Sequence, residues 1–232
     1  MEIDDSVAVI TCTLAEKDLL SFGAVSELAD LLDTTSAPRD KVSVVVITGT
    51  DGRFVPDVDR DELTRRSEGE AVSGDVMAWH RVTAALESMP QPTVAAVDGN
   101  AGGGGCVLAL ACTLRIGSER FVFGPVEPNL GVVGTDSSAN LVRLVGPATG
   151  AELLLTEREV DAATAKQIGL INEVLPSKGF DAQARQWCQR IAALPPATVF
   201  GIRQAVTGST SASRNELLDA QPPNSSARYA SR

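Results

Sequence analysis

Three segments carry the residues that could do chemistry. The first runs from Asp98 to Cys106 and holds Gly102, Gly103, Gly104 and Gly105 in a row, between a Val/Ala run and the apolar stretch Val107 to Ala111. Consecutive glycines cost conformational entropy. They make sense where N–H groups at a helix N-terminus meet an anion or a developing oxyanion, or where a strand turns tightly into a closely packed helix, and both readings stand. A phosphate P-loop is excluded because Gly-Lys-Ser/Thr does not follow, and the dinucleotide fingerprint with its acidic residue about 20 positions on is not matched. The second segment, Phe123 to Gly131, sets Glu127 among apolar and conformationally restricted residues. A carboxylate there is either a base, with desolvation raising its pKa toward values useful on a carbon acid, or a capping and structural group. The third is the loop from Gly49 to Asp59, directly after a Val/Ile run.

These segments need a scaffold, and the apolar rhythm supplies one. Short runs at Val7 to Ile10, Val44 to Ile47 and Val94 to Val97 read as strands buried on both faces. Between them lie helical stripes: Val25, Leu28, Ala29 and Leu32; Val76, Trp79, Val82 and Leu86 on a helix expected over 72–88; and Ala184, Trp187, Cys188 and Ile191. Strand and helix in alternation predict one α/β domain with a mostly parallel sheet over 1–206, whose strand-end loops build the ligand crevice. No internal sequence repeat is visible. The Ser-, Ala-, Asn- and Pro-rich stretch 207–232 reads as a short C-terminal helical or irregular tail, with one helical piece at Asn215 to Ala220.

Composition narrows the function. The 232 residues are 44% hydrophobic and 22% charged, enough for a substantial core, and a net charge of −10 repels phosphate backbones and anionic membranes. Nucleic acid and membrane are therefore not expected as partners. Four cysteines without a close pair and one histidine, His80, argue against a metal cage and for a reduced, cytoplasmic protein. Cys106 and Cys112 read as core residues, and His80 as a surface or interface residue. No apolar run approaches the roughly 20 residues that cross a bilayer.

In order and spacing the three segments resemble the crotonase family, the enoyl-CoA hydratase/isomerase superfamily. The likeness runs from about Val7 to Val206. It is carried most specifically by the stretch from Pro92 to Gly117, then by Phe123 to Gly131, Arg143 to Gly146, Ala151 to Thr156 and Ala165 to Pro176. The resemblance implies a spiral of ββα units, assembled as a homotrimer or homohexamer, that binds an acyl-CoA or another acyl thioester. Coenzyme A would enter as part of the substrate, and no separate cofactor is expected. Two backbone N–H groups would hold the thioester oxygen and stabilise an enolate. Position by position these are Val58 and Gly104, with Pro56, Asp57, Gly103, Val107 and Gly134 lining the substrate.

The chain departs from the family at telling places. Hydratases of this family flank a water with two glutamates, and the positions here are Val107 and Glu127, so one of the pair is hydrocarbon. A lone carboxylate can lift a proton from one carbon of an enolate and return it to another, which fits an isomerase. The segment from Val132 to Ser138 replaces the family's glycine-rich loop and carries Asp136. Asp136 either acts with Glu127, in a hydration, dehydration or lyase reaction of a specialised biosynthetic pathway, or caps a helix starting near Ser137. Arg53, Arg60, Arg65 and Arg66 bracket the loop expected near the CoA phosphates. The short tail lacks the family's usual closing helices, which leaves a non-catalytic auxiliary subunit as a further alternative.

Overall fold

The computed structural model describes residues 1–13, 19–20, 22–35, 42–55, 57–58, 77–124 and 135–208. Its strands in chain order are β1 (Glu2–Asp4), β2 (Val7–Thr11), β3 (Leu19–Leu20), β4 (Val44–Thr48), β5 (Asp57–Val58), β6 (Thr93–Val97), β7 (Asn100–Gly102), β8 (Leu114–Ser118), β9 (Val122–Gly124), β10 (Val160–Asp161) and β11 (Glu173–Leu175). The helices are α1 (Phe22–Thr35), α2 (Met77–Ser88), α3 (Gly104–Ala111), α4 (Thr135–Val145), α5 (Pro147–Thr156), α6 (Ala162–Gln167), α7 (Phe180–Ala192) and α8 (Pro196–Gly208).

Six strands form the main sheet in the order β1-β2-β4-β6-β8-β11, parallel throughout except for β1. The Val-rich runs are buried on both faces because each face has its own cover. On β4, Val45 and Ile47 turn into the core shared with α1, α2 and α3, while Val44 and Val46 pack with Phe180, Ala184 and Cys188 of α7. The helical stripes do as expected: Val25, Leu28, Ala29 and Leu32 of α1 are buried, as are Val82 and Leu86 of α2.

The order of elements is itself periodic. Among the described elements, four times a strand of the main sheet is followed by a short strand outside it and then a helix: β2-β3-α1, β4-β5-α2, β6-β7-α3 and β8-β9-α4. The short strands pair among themselves, β3 with β5 and β7 with β9, so the chain winds as a spiral of ββα units. The sequence shows no repeat because each unit needs only the same alternation of buried and exposed positions, not the same residues.

Several boundaries differ from expectation. Helix α2 is described from Met77, and 72–76 lie outside the described residues, as do Arg60, Arg65, Arg66 and the tail from 209 on. Helix α3 starts at Gly104, inside the glycine run rather than after it. Helix α8 continues past 206 because Arg203 is pinned to the end of α2, donating to the Glu87 carbonyl at 2.7 Å, and Thr207 Oγ1 bonds back to the Arg203 carbonyl. None of the four cysteines forms a disulfide, and Cys106, Cys112 and Cys188 are buried. His80 is exposed. Among the described residues no helix is long and apolar enough to cross a membrane.

Candidate active site

The site is built where the parallel strands β4 and β6 end side by side, since each then throws a loop over the same edge of the sheet. After β4 the chain turns at Asp51 and Gly52, both at positive φ, with the Arg53 N–H bonded to the Thr50 carbonyl at 3.0 Å. It then drives Phe54 and Val55 into the core before β5. After β6 it turns at Gly99 (φ 87°), runs β7, and enters α3. The two loops meet directly: a β-carbon on Gly99 would collide with the Gly52 carbonyl oxygen.

The glycine run divides its work. Gly103 is the N-cap of α3 at φ 43°, ψ −114°, a conformation that side chains with a β-carbon avoid. Gly105 lies under the first loop, where a β-carbon would stand 3.0 Å from the Val55 carbonyl oxygen and 3.6 Å from Phe54 Cδ1. The run is thus a closely packed turn that opens a helix. Cys106 fixes that opening, its thiol donating to the Ala101 carbonyl at 2.8 Å and reaching the Gly124 carbonyl at 3.3 Å.

Electrostatically α3 is polarised along its length. Its first turn has no acidic residue, and its N-cap Gly103 makes no side-chain cap hydrogen bond, so its positive end faces outward from Gly103 without a carboxylate of its own. The other end is satisfied by buried Arg115, whose Nη1 donates to the carbonyls of Cys112 at 2.7 Å and Ala109 at 3.2 Å, while Nε donates to Leu170 at 2.7 Å. Desolvation lowers the Arg115 pKa to about 10. Nothing in the sequence singled out Arg115; a lone arginine inside a strand carries no local signature.

Of the expected site residues, Val58 and Asp57 form β5, paired with Leu20 and Leu19, and β5 runs against α3. Gly103 and Gly104 open α3 as described. Val107 is the one residue of α3 that is not buried. Pro56, Glu127 and Gly134 lie outside the described residues, Glu127 three positions beyond Gly124, which pairs with Gly102. Asp136 falls in the first turn of α4, which begins at Thr135 and packs along α3, so it stands inside the helix rather than before it at a cap. A separate cleft of about 520 Å³ opens on the α7 face of the sheet near Thr11, Thr48 and Arg185, and touches the first loop only at Gly49 to Asp51.

One pair was not foreseen as a pair. Arg120, in the turn between β8 and β9, donates through Nη2 to Asp98 Oδ2 at 2.6 Å. The Asp98-Gly99 dipeptide marks a turn in the sequence, whereas nothing there joins it to residue 120.

Comparison with known proteins agrees with this architecture. The family model described as enoyl-CoA hydratase/isomerase matches residues 2–227. A protein of Mycobacterium tuberculosis named "probable enoyl-CoA hydratase" is 30% identical over 221 residues, 94% of this chain and 84% of that protein. The short-chain-enoyl-CoA hydratase of Clostridium acetobutylicum is 27% identical over 208 residues, 89% of this chain and 79% of its own length. Among solved structures, the enoyl-CoA hydratase of Bacillus anthracis superposes with a TM-score of 0.78 at 27% identity, covering 91% of this chain and 83% of that one.

Proposed function

The chain belongs to the enoyl-CoA hydratase/isomerase family, and on that footing we propose that it moves the double bond of a β,γ-enoyl thioester to the α,β position, with Glu127 as the only proton carrier. The thioester oxygen accepts from the backbone N–H groups of Val58 and Gly104. Glu127 takes a proton from the α-carbon, the electron pair spreads onto the oxygen as a dienolate, and the Glu127 carboxyl, whose proton exchanges with solvent, delivers a proton to the γ-carbon. Nothing is gained or lost overall. The donors act on charge that develops only in the transition state, where one such donor contributes on the order of 10²- to 10³-fold in rate.

The observation that carries this reading is Val107, partly exposed on an otherwise buried helix, where the hydratases need their second carboxylate. A hydrocarbon side chain neither orients water nor stores a proton, so addition of water loses half its machinery while proton migration keeps all of it. The positive end of α3 and the contact between the two donor loops support the enolate step. We include in the proposal an acyl-CoA, or another acyl-thioester carrier, as substrate, and an assembly of three or six copies.

A second reading has one observation in its favour. Asp136 lies in the first turn of α4, alongside α3. Paired with Glu127 it would suit hydration, dehydration or a lyase reaction instead. Rates on matched β,γ- and α,β-enoyl-CoA substrates separate the two: migration without hydration supports the isomerase, and hydration at comparable rate overturns it.

A further inference from the structure

Resting on the oxyanion reading above, we infer that Arg120 and Asp98 form a positioning pair that fixes the loop leading to Val58 against the loop leading to Gly104. The pair thereby sets the spacing between the two backbone donors. Neither residue touches the substrate in this account; both act through the loops.

Three loops close on one another at this point. The Gly52 carbonyl abuts Gly99, and the Gly99 carbonyl accepts from the Val122 N–H at 3.1 Å. Arg120 lies across the seam. Its guanidinium covers Gly52, where a β-carbon would stand 2.9 Å from Nη2, 3.1 Å from Nη1 and 3.2 Å from Cζ, and its Nη2 reaches back to Asp98 at 2.6 Å. The Arg120 N–H is itself held by Ser118 Oγ at 3.1 Å. Arginine suits the place because a flat guanidinium can lie on a peptide while aiming an N–H at a carboxylate; a lysine keeps the charge and loses the plane.

The two partners are unequal. The Arg120 side chain is 56% exposed and that of Asp98 only 14%, so as a surface ion pair the contact adds little to stability. Asp98 is different, because its Oδ1 is buried and has no partner among the described residues. Removing Arg120 takes the partner from Oδ2 of a half-buried carboxylate, one residue before the Gly99 turn, and the loop shifts as that carboxylate turns toward water. Oxyanion donors tolerate such movement poorly: a displacement of about 1 Å can cost about 100-fold in rate.

The test compares Arg120→Ala, Arg120→Lys and Asp98→Asn with the parent protein, by steady-state kinetics on a β,γ-enoyl-CoA, binding of free CoA, and amide hydrogen exchange. Arg120→Ala lowers kcat by about 10- to 100-fold with KM and CoA affinity unchanged, and Arg120→Lys recovers part of that loss. Exchange quickens in 50–55 and 99–104 and nowhere else. An unchanged kcat, or a loss carried by KM alone, overturns the inference. Should Arg120→Ala fail to fold, the near-isosteric Asp98→Asn carries the same comparison. If the parent protein turns over no β,γ-enoyl-CoA, the reaction reading falls and exchange decides alone: quickening confined to both loops supports the clamp, and unchanged exchange overturns it.

Discussion

The Val55 carbonyl oxygen stands 3.0 Å from where a β-carbon on Gly105 would be, so the loop after β4 rests on the first turn of α3 with no room between them. That contact brings β5, and with it the Val58 backbone, to the helix that Gly104 opens. Gly105→Ala forces the loop back by a few tenths of an ångström. Overpacking of this kind costs about 1–3 kcal/mol. Gly99→Ala is expected at or above the top of that range, since its β-carbon meets the Gly52 carbonyl and its φ is 87°. Urea unfolding of both variants checks the order; a Gly99→Ala protein as stable as the parent contradicts the packing described.

Val107→Glu restores a carboxylate at the half-buried position of α3. Hydration of an α,β-enoyl-CoA should rise by about 10-fold or more over the parent, less than the roughly 10²- to 10⁴-fold of a fully placed general acid–base group. Absorbance loss of the conjugated thioester measures it. If hydration is already fast in the parent, Val107 does not separate the two chemistries.

Asp136→Asn tests the second carboxylate. A first-turn aspartate interacting only with the helix dipole is worth about 0.3–1 kcal/mol, and its removal should spare turnover. A large fall in kcat with an unchanged unfolding transition would move Asp136 into the reaction.

The buried thiols give a pH signature. Burial pushes Cys112 and Cys188 up to about 12 from 9.0. The unfolded chain then releases these protons first as pH rises, so the stability they contribute is complete below pH 9.0 and is lost progressively toward about 12. Each thiol costs at most about 1.4 kcal/mol per pH unit in that window. Urea midpoints between pH 8 and 10 read the start of this loss; Arg115, lowered to about 10, begins to shed its own proton at the top of that window, so the comparison is with a variant that keeps it. The decline should shrink in a Cys112→Ala, Cys188→Ala double variant, and an identical decline there contradicts the assignment.

What the sequence revealed, and what it hid, has a physical pattern. Strands β2, β4 and β6 were legible because burial on both faces demands unbroken Val, Ile and Ala runs, and α1 because one buried stripe repeats at helical spacing. The glycine run pointed to α3 since Gly103 and Gly105 answer to backbone demands that leave no other residue type comfortable. The start of α3 was misjudged because glycine inside a helix contradicts propensity, and tertiary packing overrode it. Arg115 and the Asp98–Arg120 pair were invisible, as their partners are carbonyls and side chains fixed only by the fold. The ββα repeat hid for a similar reason: β3 and β5 are two residues each, too short to leave a period.

The central claim is that one carboxylate, Glu127, carries a proton across an enolate. It is tested by following a β,γ-enoyl-CoA in D2O by NMR with the parent protein and with Glu127→Gln. The account predicts double-bond migration with deuterium entering at the γ-carbon in the parent, and loss of both, with CoA binding retained, in the variant. Migration that continues in Glu127→Gln, or a parent that neither shifts the bond nor exchanges the α-proton while binding CoA, contradicts it.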